Sequence, residues 1–142
     1  MNRILRVGKL GKSLSDILVK DVMTESIISV DPQTTVFQIA NMMQKGGIGA
    51  VLVKKDGQPA GIITDRDFAV KIAVNHYPTD TPVEKVASYP LQTINYNESI
   101  LAAAEQMTTK KIRKLAVVND GKVVGIITST DLVNQLAINK ND

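Results

Sequence analysis

Two stretches of the chain carry side chains of the types and spacing that can hold a ligand. Gly61-Ile62-Ile63-Thr64-Asp65-Arg66-Asp67 returns 64 positions later as Gly125-Ile126-Ile127-Thr128-Ser129-Thr130-Asp131. In each, a short apolar strand leads directly into a Thr-x-x-Asp step, so the threonine stands where a strand hands over to a helix N-terminus. Unpaired backbone N–H groups and the positive end of the helix dipole meet a hydroxyl there, a combination able to hold phosphate. Asp67 and Asp131 fall in the first helical turn, where a carboxylate can accept both hydroxyls of a ribose. Gly61 and Gly125 let another group approach the strand closely. The same spacing also builds an ordinary helix cap, and a single copy would favour that reading. Repetition of the whole order favours a ligand.

Other chemistry is sparse. The chain has no cysteine, which excludes disulfides, thiolate metal sites and cysteine nucleophiles. His76 is the one histidine. It stands in a polar stretch with no partner for a metal site or for general base work, and reads as a surface-loop residue. With no nucleophile–base pair or metal constellation, the chain reads as a non-enzyme. The five methionines read as core filler. A net charge of +3 and a pI near 9.2, spread along the chain, speak weakly for nucleic acid. The run Lys110-Lys111-Ile112-Arg113-Lys114 is open to three readings: a solvated face, a phosphate clamp or a nucleic-acid contact. It has no accompanying aromatic platform for single-strand stacking. No apolar run approaches the ~20 residues of a membrane helix. Charges and glycines interrupt residues 1–18, unlike a secretory signal, so the expected location is the cytoplasm.

The elements that position the two steps also repeat. Without a gap, Val22 aligns with Val86, Val36 with Ile100, Ile48 with Ile112, Val53 with Val117, and Asp56-Gly57 with Asp120-Gly121. Such internal similarity governs any choice of fold. Residues 1–18 form an extension in which Leu10, Leu14, Ile17 and Leu18 recur at helical spacing, with Ser13 or Ser15 as cap. Residues 19–74 form the first repeat. It contains a strand over Ile27–Val30, a helix capped by Thr35 and Gln38 with Val36, Ile39, Ala40 and Met43 inward, and a stop at Gly46-Gly47. Strands Ala50–Val53 and Ala60–Thr64 follow around an Asp-Gly turn. A helix Asp65–Val74, with Phe68, Ala69 and Ile72 inward, ends the repeat. Residues 75–81 link it to the second repeat, 82–138. There the strand is Leu91–Ile94, the helix Ser99–Thr109 with Ile100, Ala103, Ala104 and Met107 inward, the hairpin Leu115–Val118 with Val123–Thr128, and the last helix Thr130–Ala137. Residues 139–142 are a polar tail. The fold class is α/β (α+β): two βαββα repeats, with right-handed crossovers, packed in pseudo-twofold symmetry. Halves of this size are marginal alone, which implies a shared core.

Taken together, Val19 to Val30 (VKDVMTESIISV), Ile48 to Asp67 (IGAVLVKKDGQPAGIITDRD) and Ile112 to Asp131 (IRKLAVVNDGKVVGIITSTD) resemble a tandem pair of CBS domains, a Bateman module, over about 120 residues. The resemblance implies a regulatory module that binds adenosine-containing ligands (AMP, ADP or ATP, with S-adenosylmethionine or NAD as further candidates) in the clefts between repeats. It signals to a partner protein by population shift and dimerises with its own kind. Carried over by position, Asp131 holds a ribose, and Thr128 and Thr130 contact ribose or phosphate. Met23, Thr24 and Ile28 line an adenine pocket, and Arg113 and Lys114 reach phosphates. A second site uses Asp67, Thr64 and Arg66, with Ala87, Ser88 and Gln92. There Gly49 and Ala50 stand in place of Arg113 and Lys114, so two cations are missing. The alternatives are a nucleic-acid-binding module built on Lys110–Lys114 and a structural dimerisation module without ligand.

Overall fold

The computed structural model describes residues 13–141, with side chains through Ile138. The described residues form two compact units, residues 27–91 and residues 13–26 with 92–141. Each contains one three-stranded sheet.

The unit of residues 27–91 begins with β1 (Ser29–Val30), then α1 (Val36–Gly46), β2 (Ala50–Lys55) and β3 (Gln58–Thr64). Thr35 caps α1 through the capping box its spacing announces: its hydroxyl accepts from the Gln38 N–H, and the Gln38 side chain accepts from the Thr35 N–H. Gly47 ends the helix at φ 63°, a conformation that costs glycine little. β1 pairs parallel to β2, as a strand–helix–strand connection permits, and β2 pairs antiparallel to β3. The chain continues through α2 (Asp65–Asp67) into a π-helix over Phe68–Ala73. The core is aliphatic: Val30, Val36, Ile39, Val51, Val53, Ile63, Ile72, Val83 and Val86.

The other unit has the same order: β4 (Thr93–Asn95), α3 (Ile100–Lys110), β5 (Lys114–Asn119), β6 (Lys122–Thr128) and α4 (Ser129–Asn141). Ser99 caps α3 by accepting from the Ala102 N–H. Its core is Ile17, Val19, Ile94, Ile100, Ala103, Met107, Leu115, Val117 and Ile127.

The compact units are not the sequence repeats. Val83 and Val86 belong to the second repeat in sequence but complete the core around β1–β3. The Val83 N–H donates to the Thr34 carbonyl at 2.7 Å, and the Val36 N–H to the Thr81 carbonyl at 2.9 Å. Ile17 and Val19 complete the core around β4–β6 in the same way. The Val19 N–H donates to the Glu98 carbonyl at 2.8 Å, and the Ile100 N–H to the Ile17 carbonyl at 2.9 Å.

Several local expectations change. Among the described residues of the extension, 14–16 form a turn rather than a helix, and Leu18 makes a β-bridge to Ser99. That pairing draws the backbone into extended form. Leu10 lies outside the described residues. The first strand shortens to Ser29–Val30, and its counterpart moves to Thr93–Asn95, where the neighbouring strand offers ladder partners. Ala40 and Ala69 are exposed and Ala104 is half-buried. Val36 and Ile39 anchor α1, and Ile100, Ala103 and Met107 anchor α3, which leaves Ala40 and Ala104 beside the buried stripe.

Candidate functional site

The two Asp-Gly turns fix the register. Asp56 and Gly57 take φ 54° and 79°, and Asp120 and Gly121 take 51° and 77°, as a tight hairpin of this twist requires. Ala50 consequently sits opposite Thr64, and Lys114 opposite Thr128. The Ser129 N–H then donates to the Arg113 carbonyl at 2.9 Å, and the Asp65 N–H to the Gly49 carbonyl at 3.1 Å. Arg113 and Lys114 therefore border one Thr-x-x-Asp step, and Gly49 and Ala50 border the other.

Both steps form reciprocal caps. The Thr128 N–H donates to Asp131 Oδ2 at 2.9 Å, and the Asp131 N–H to Thr128 Oγ1 at 3.2 Å. The Thr64 N–H donates to Asp67 Oδ2 at 2.8 Å, and Thr64 Oγ1 donates to the same oxygen at 3.2 Å. One carboxylate oxygen of each aspartate is thus committed to the cap. The other makes no hydrogen bond among the described residues. Thr128 and Asp131 are half-buried, while Thr130, Arg113 and Arg66 are exposed.

The strand glycines admit the chain itself. Thr24 and Ile126 exchange backbone hydrogen bonds at 2.9 Å each. A Cβ on Gly125 would lie 2.8 Å from both the Thr24 carbonyl oxygen and Met23 Sδ. In the other unit, Ser88 and Ile62 exchange bonds of 2.8 and 3.1 Å, and a Cβ on Gly61 would meet the Tyr89 ring at 2.6 Å and the Ser88 carbonyl at 2.8 Å. Ala87 occupies the position equivalent to Met23 and is too short to cover the glycine, so Tyr89 covers it instead. Burial, with the Glu84 carboxylate adding to it, pushes the Tyr89 hydroxyl above its usual pKa of 10.0. Sequence comparison of the repeats missed Tyr89 because its counterpart, Glu25, gives no such signal.

One unit therefore gathers Met23, Thr24, Arg113, Lys114, Thr128, Thr130 and Asp131. The other gathers Thr64, Arg66, Asp67, Ala87 and Ser88. Ile28 does not join the Asp131 unit: its carbonyl accepts from the Leu52 N–H at 2.8 Å in the unit of residues 27–91. Gln92 does not join the Asp67 unit. Its side-chain oxygen accepts from Lys110 Nζ at 2.7 Å, and its carbonyl from the Ala116 N–H, both in the Asp131 unit. His76 is exposed. Among the described residues no group of three or more His, Cys, Asp and Glu side chains is placed to hold a metal.

A family model of the CBS domain matches residues 19–74 and again 80–138. The chain belongs to the CBS-domain family. It is 36% identical over 120 residues to the CBS domain-containing protein YhcV of Bacillus subtilis, a match covering 84% of this chain and 86% of that protein. An uncharacterized protein of Methanopyrus kandleri, MK0525, is 32% identical over 123 residues. That match covers 84% of this chain but 63% of the relative. Among solved structures, the CBS domain pair of protein MJ0100 in complex with 5′-methylthioadenosine and S-adenosyl-L-methionine superposes with a TM-score of 0.75 at 27% identity. It covers 84% of this chain and 95% of that one. No helix among the described residues is long and apolar enough to cross a membrane.

Proposed function

We propose that this CBS-domain protein is a ligand-sensing regulatory module that binds an adenosine-containing molecule at its Thr-x-x-Asp steps and is not itself an enzyme. The observation that carries the reading is the state of Asp131. One of its oxygens is fixed by the Thr128 N–H, and the other is left for a ribose hydroxyl in a step bordered by Arg113 and Lys114. The adenosine ligands of the MJ0100 pair support the same class. In this reading Asp131 accepts from the ribose, Thr128 and Thr130 donate to ribose or phosphate, and Arg113 and Lys114 hold phosphate. Met23 and Thr24 flank the base. Asp67, Thr64, Arg66, Ala87 and Ser88 form a second, less cationic site. AMP, ADP or ATP is favoured over S-adenosylmethionine, which has no phosphate for the paired cations, and NAD, which has a diphosphate, is the further candidate.

The ligand acts by joining a segment of one sequence repeat, Met23-Thr24, to the step of the other, Thr128–Asp131. It stabilises whichever state of the chain holds them together. A separate partner reads that state. The chain works as a homodimer in the cytoplasm, where a cysteine-free protein needs no disulfide.

A thermal shift series with AMP, ADP, ATP, S-adenosylmethionine and NAD tests this. A ligand at about 100 times its Kd stabilises the fold by about 2.7 kcal/mol. A folded protein that responds to none of the five would instead be a structural dimerisation module.

A further inference from the structure

The first turn of each step has few backbone donors, and the two units use them differently at one point. In the step Thr128–Asp131, the Thr128 N–H goes to Asp131 Oδ2, the Ser129 N–H to the Arg113 carbonyl and the Asp131 N–H to Thr128 Oγ1. That leaves the Thr130 N–H, which meets no side-chain acceptor among the described residues. Such a group at a helix start has the positive end of the dipole behind it and suits an anion. In the step Thr64–Asp67, the Thr64 N–H likewise goes to Asp67 Oδ2 and the Asp65 N–H to the Gly49 carbonyl. The Arg66 N–H, equivalent to that of Thr130, is already taken. Asp65 Oδ1 accepts from it at 2.9 Å. Asp65 stands where the other unit has neutral Ser129. A carboxylate of the chain itself thus holds the first-turn donor to which the other step gives no side-chain acceptor.

The surrounding charge runs the same way. Asp65 and Asp67 set two carboxylates against the exposed guanidinium of Arg66, whereas Arg113 and Lys114 set two cations against Asp131. Lys71 does not make up the difference. Its Nζ donates to the Val86 carbonyl at 2.8 Å, next to Ala87-Ser88, the counterpart of the segment that flanks the base.

We propose that the Asp67 site takes an adenosine carrying no phosphate on its 5′ carbon, and that Asp65 sets this preference by holding the Arg66 N–H and repelling an anion. The proposal rests on the ligand reading above and gives the two sites different ligands, a nucleotide at Asp131 and an unphosphorylated adenosine at Asp67. A phosphate at the Asp67 step would have to displace a carboxylate from its donor and then lie beside it, and like charges so placed repel.

The full chain with Asp131→Ala, which silences the other site, is titrated with adenosine and with AMP by calorimetry. Adenosine should bind at least about fivefold more tightly, the effect of one like charge at contact distance in water. Asp65→Ser in the same background copies Ser129. It should bring AMP to within about twofold of adenosine by tightening AMP, with adenosine itself unchanged. AMP binding as tightly as adenosine before that exchange would overturn the proposal, and so would a ratio that Asp65→Ser leaves unmoved. If Asp131→Ala ends all binding, the Asp67 site holds no adenosine and the proposal falls, while the ligand reading stands at the Asp131 site. If neither compound binds the unmutated protein, the ligand reading fails and the proposal fails with it.

Discussion

Each aspartate of the two steps has two oxygens and two tasks. Capping occupies one oxygen, and the ligand reading needs the other. Asp131→Ala should therefore weaken AMP binding more than Asp67→Ala, because the Asp131 site combines its acceptor with two strand cations. Calorimetry in which only Asp67→Ala abolishes binding would reverse the ranking of the sites. Replacing Arg113 and Lys114 together by alanine should lower AMP affinity about ten- to a hundred-fold, the worth of one charged hydrogen bond, while adenosine stays within about twofold. Tyr89 makes a prediction of different sign. Its hydroxyl titrates above 10.0 in the folded chain, so the fold keeps a proton that the unfolded chain begins to lose near pH 10. The stabilisation is complete below about pH 10 and is lost as pH rises through the folded value. At 42% exposure the effect is small. Thermal melts between about pH 9 and 11 should fall less steeply for Tyr89→Phe than for the parent, and equal slopes would remove the linkage.

At the scale of elements, strand glycines and helix caps carry the local specificity. Gly125→Ala would set a Cβ 2.8 Å from the Thr24 carbonyl, a backbone atom held by its bridge to Ile126. Overpacking of this kind costs about 1–3 kcal/mol. Gly46→Ala is the contrast, with its nearest neighbours at 3.8 Å and a helical position, and should be neutral or slightly stabilising. Denaturant midpoints separate the two, and a tolerated Gly125→Ala would mean that Met23-Thr24 is free to move away. Thr35→Ala removes the α1 cap and should cost about 1 kcal/mol. The elements were largely legible in the sequence, because caps, Asp-Gly turns and aliphatic periodicity are local signals. The π-helix was not. Phe68–Ala73 has ordinary helical composition, and no residue in it announces a wider turn.

For the molecule, the exchange of segments matters most. The core around β4–β6 includes Ile17 and Val19, so a fragment of residues 80–142 lacks part of its own interior. It should show no cooperative melt by circular dichroism, and a peptide of residues 13–26 added in trans should restore one. A fragment that melts cooperatively alone would show that the segment is dispensable. The gapless repeat made two similar units predictable but could not say which segment completes which core. Val19 and Val83 are equivalent valines in equivalent surroundings, and either sheet offers each the same apolar site. Chain connectivity in three dimensions chooses.

The sequence by itself determined the two βαββα elements, their hairpin registers, the paired Thr-x-x-Asp steps and the family. All of these rest on short-range patterns repeated at fixed spacing. Only the tertiary structure decided that each cap consumes a single carboxylate oxygen and that Met23-Thr24 lies on Gly125. It also brought Lys71 to the Val86 carbonyl. Those contacts join residues far apart in the chain. Their identity depends on how side chains of different length fill the same space, and no local pattern records that.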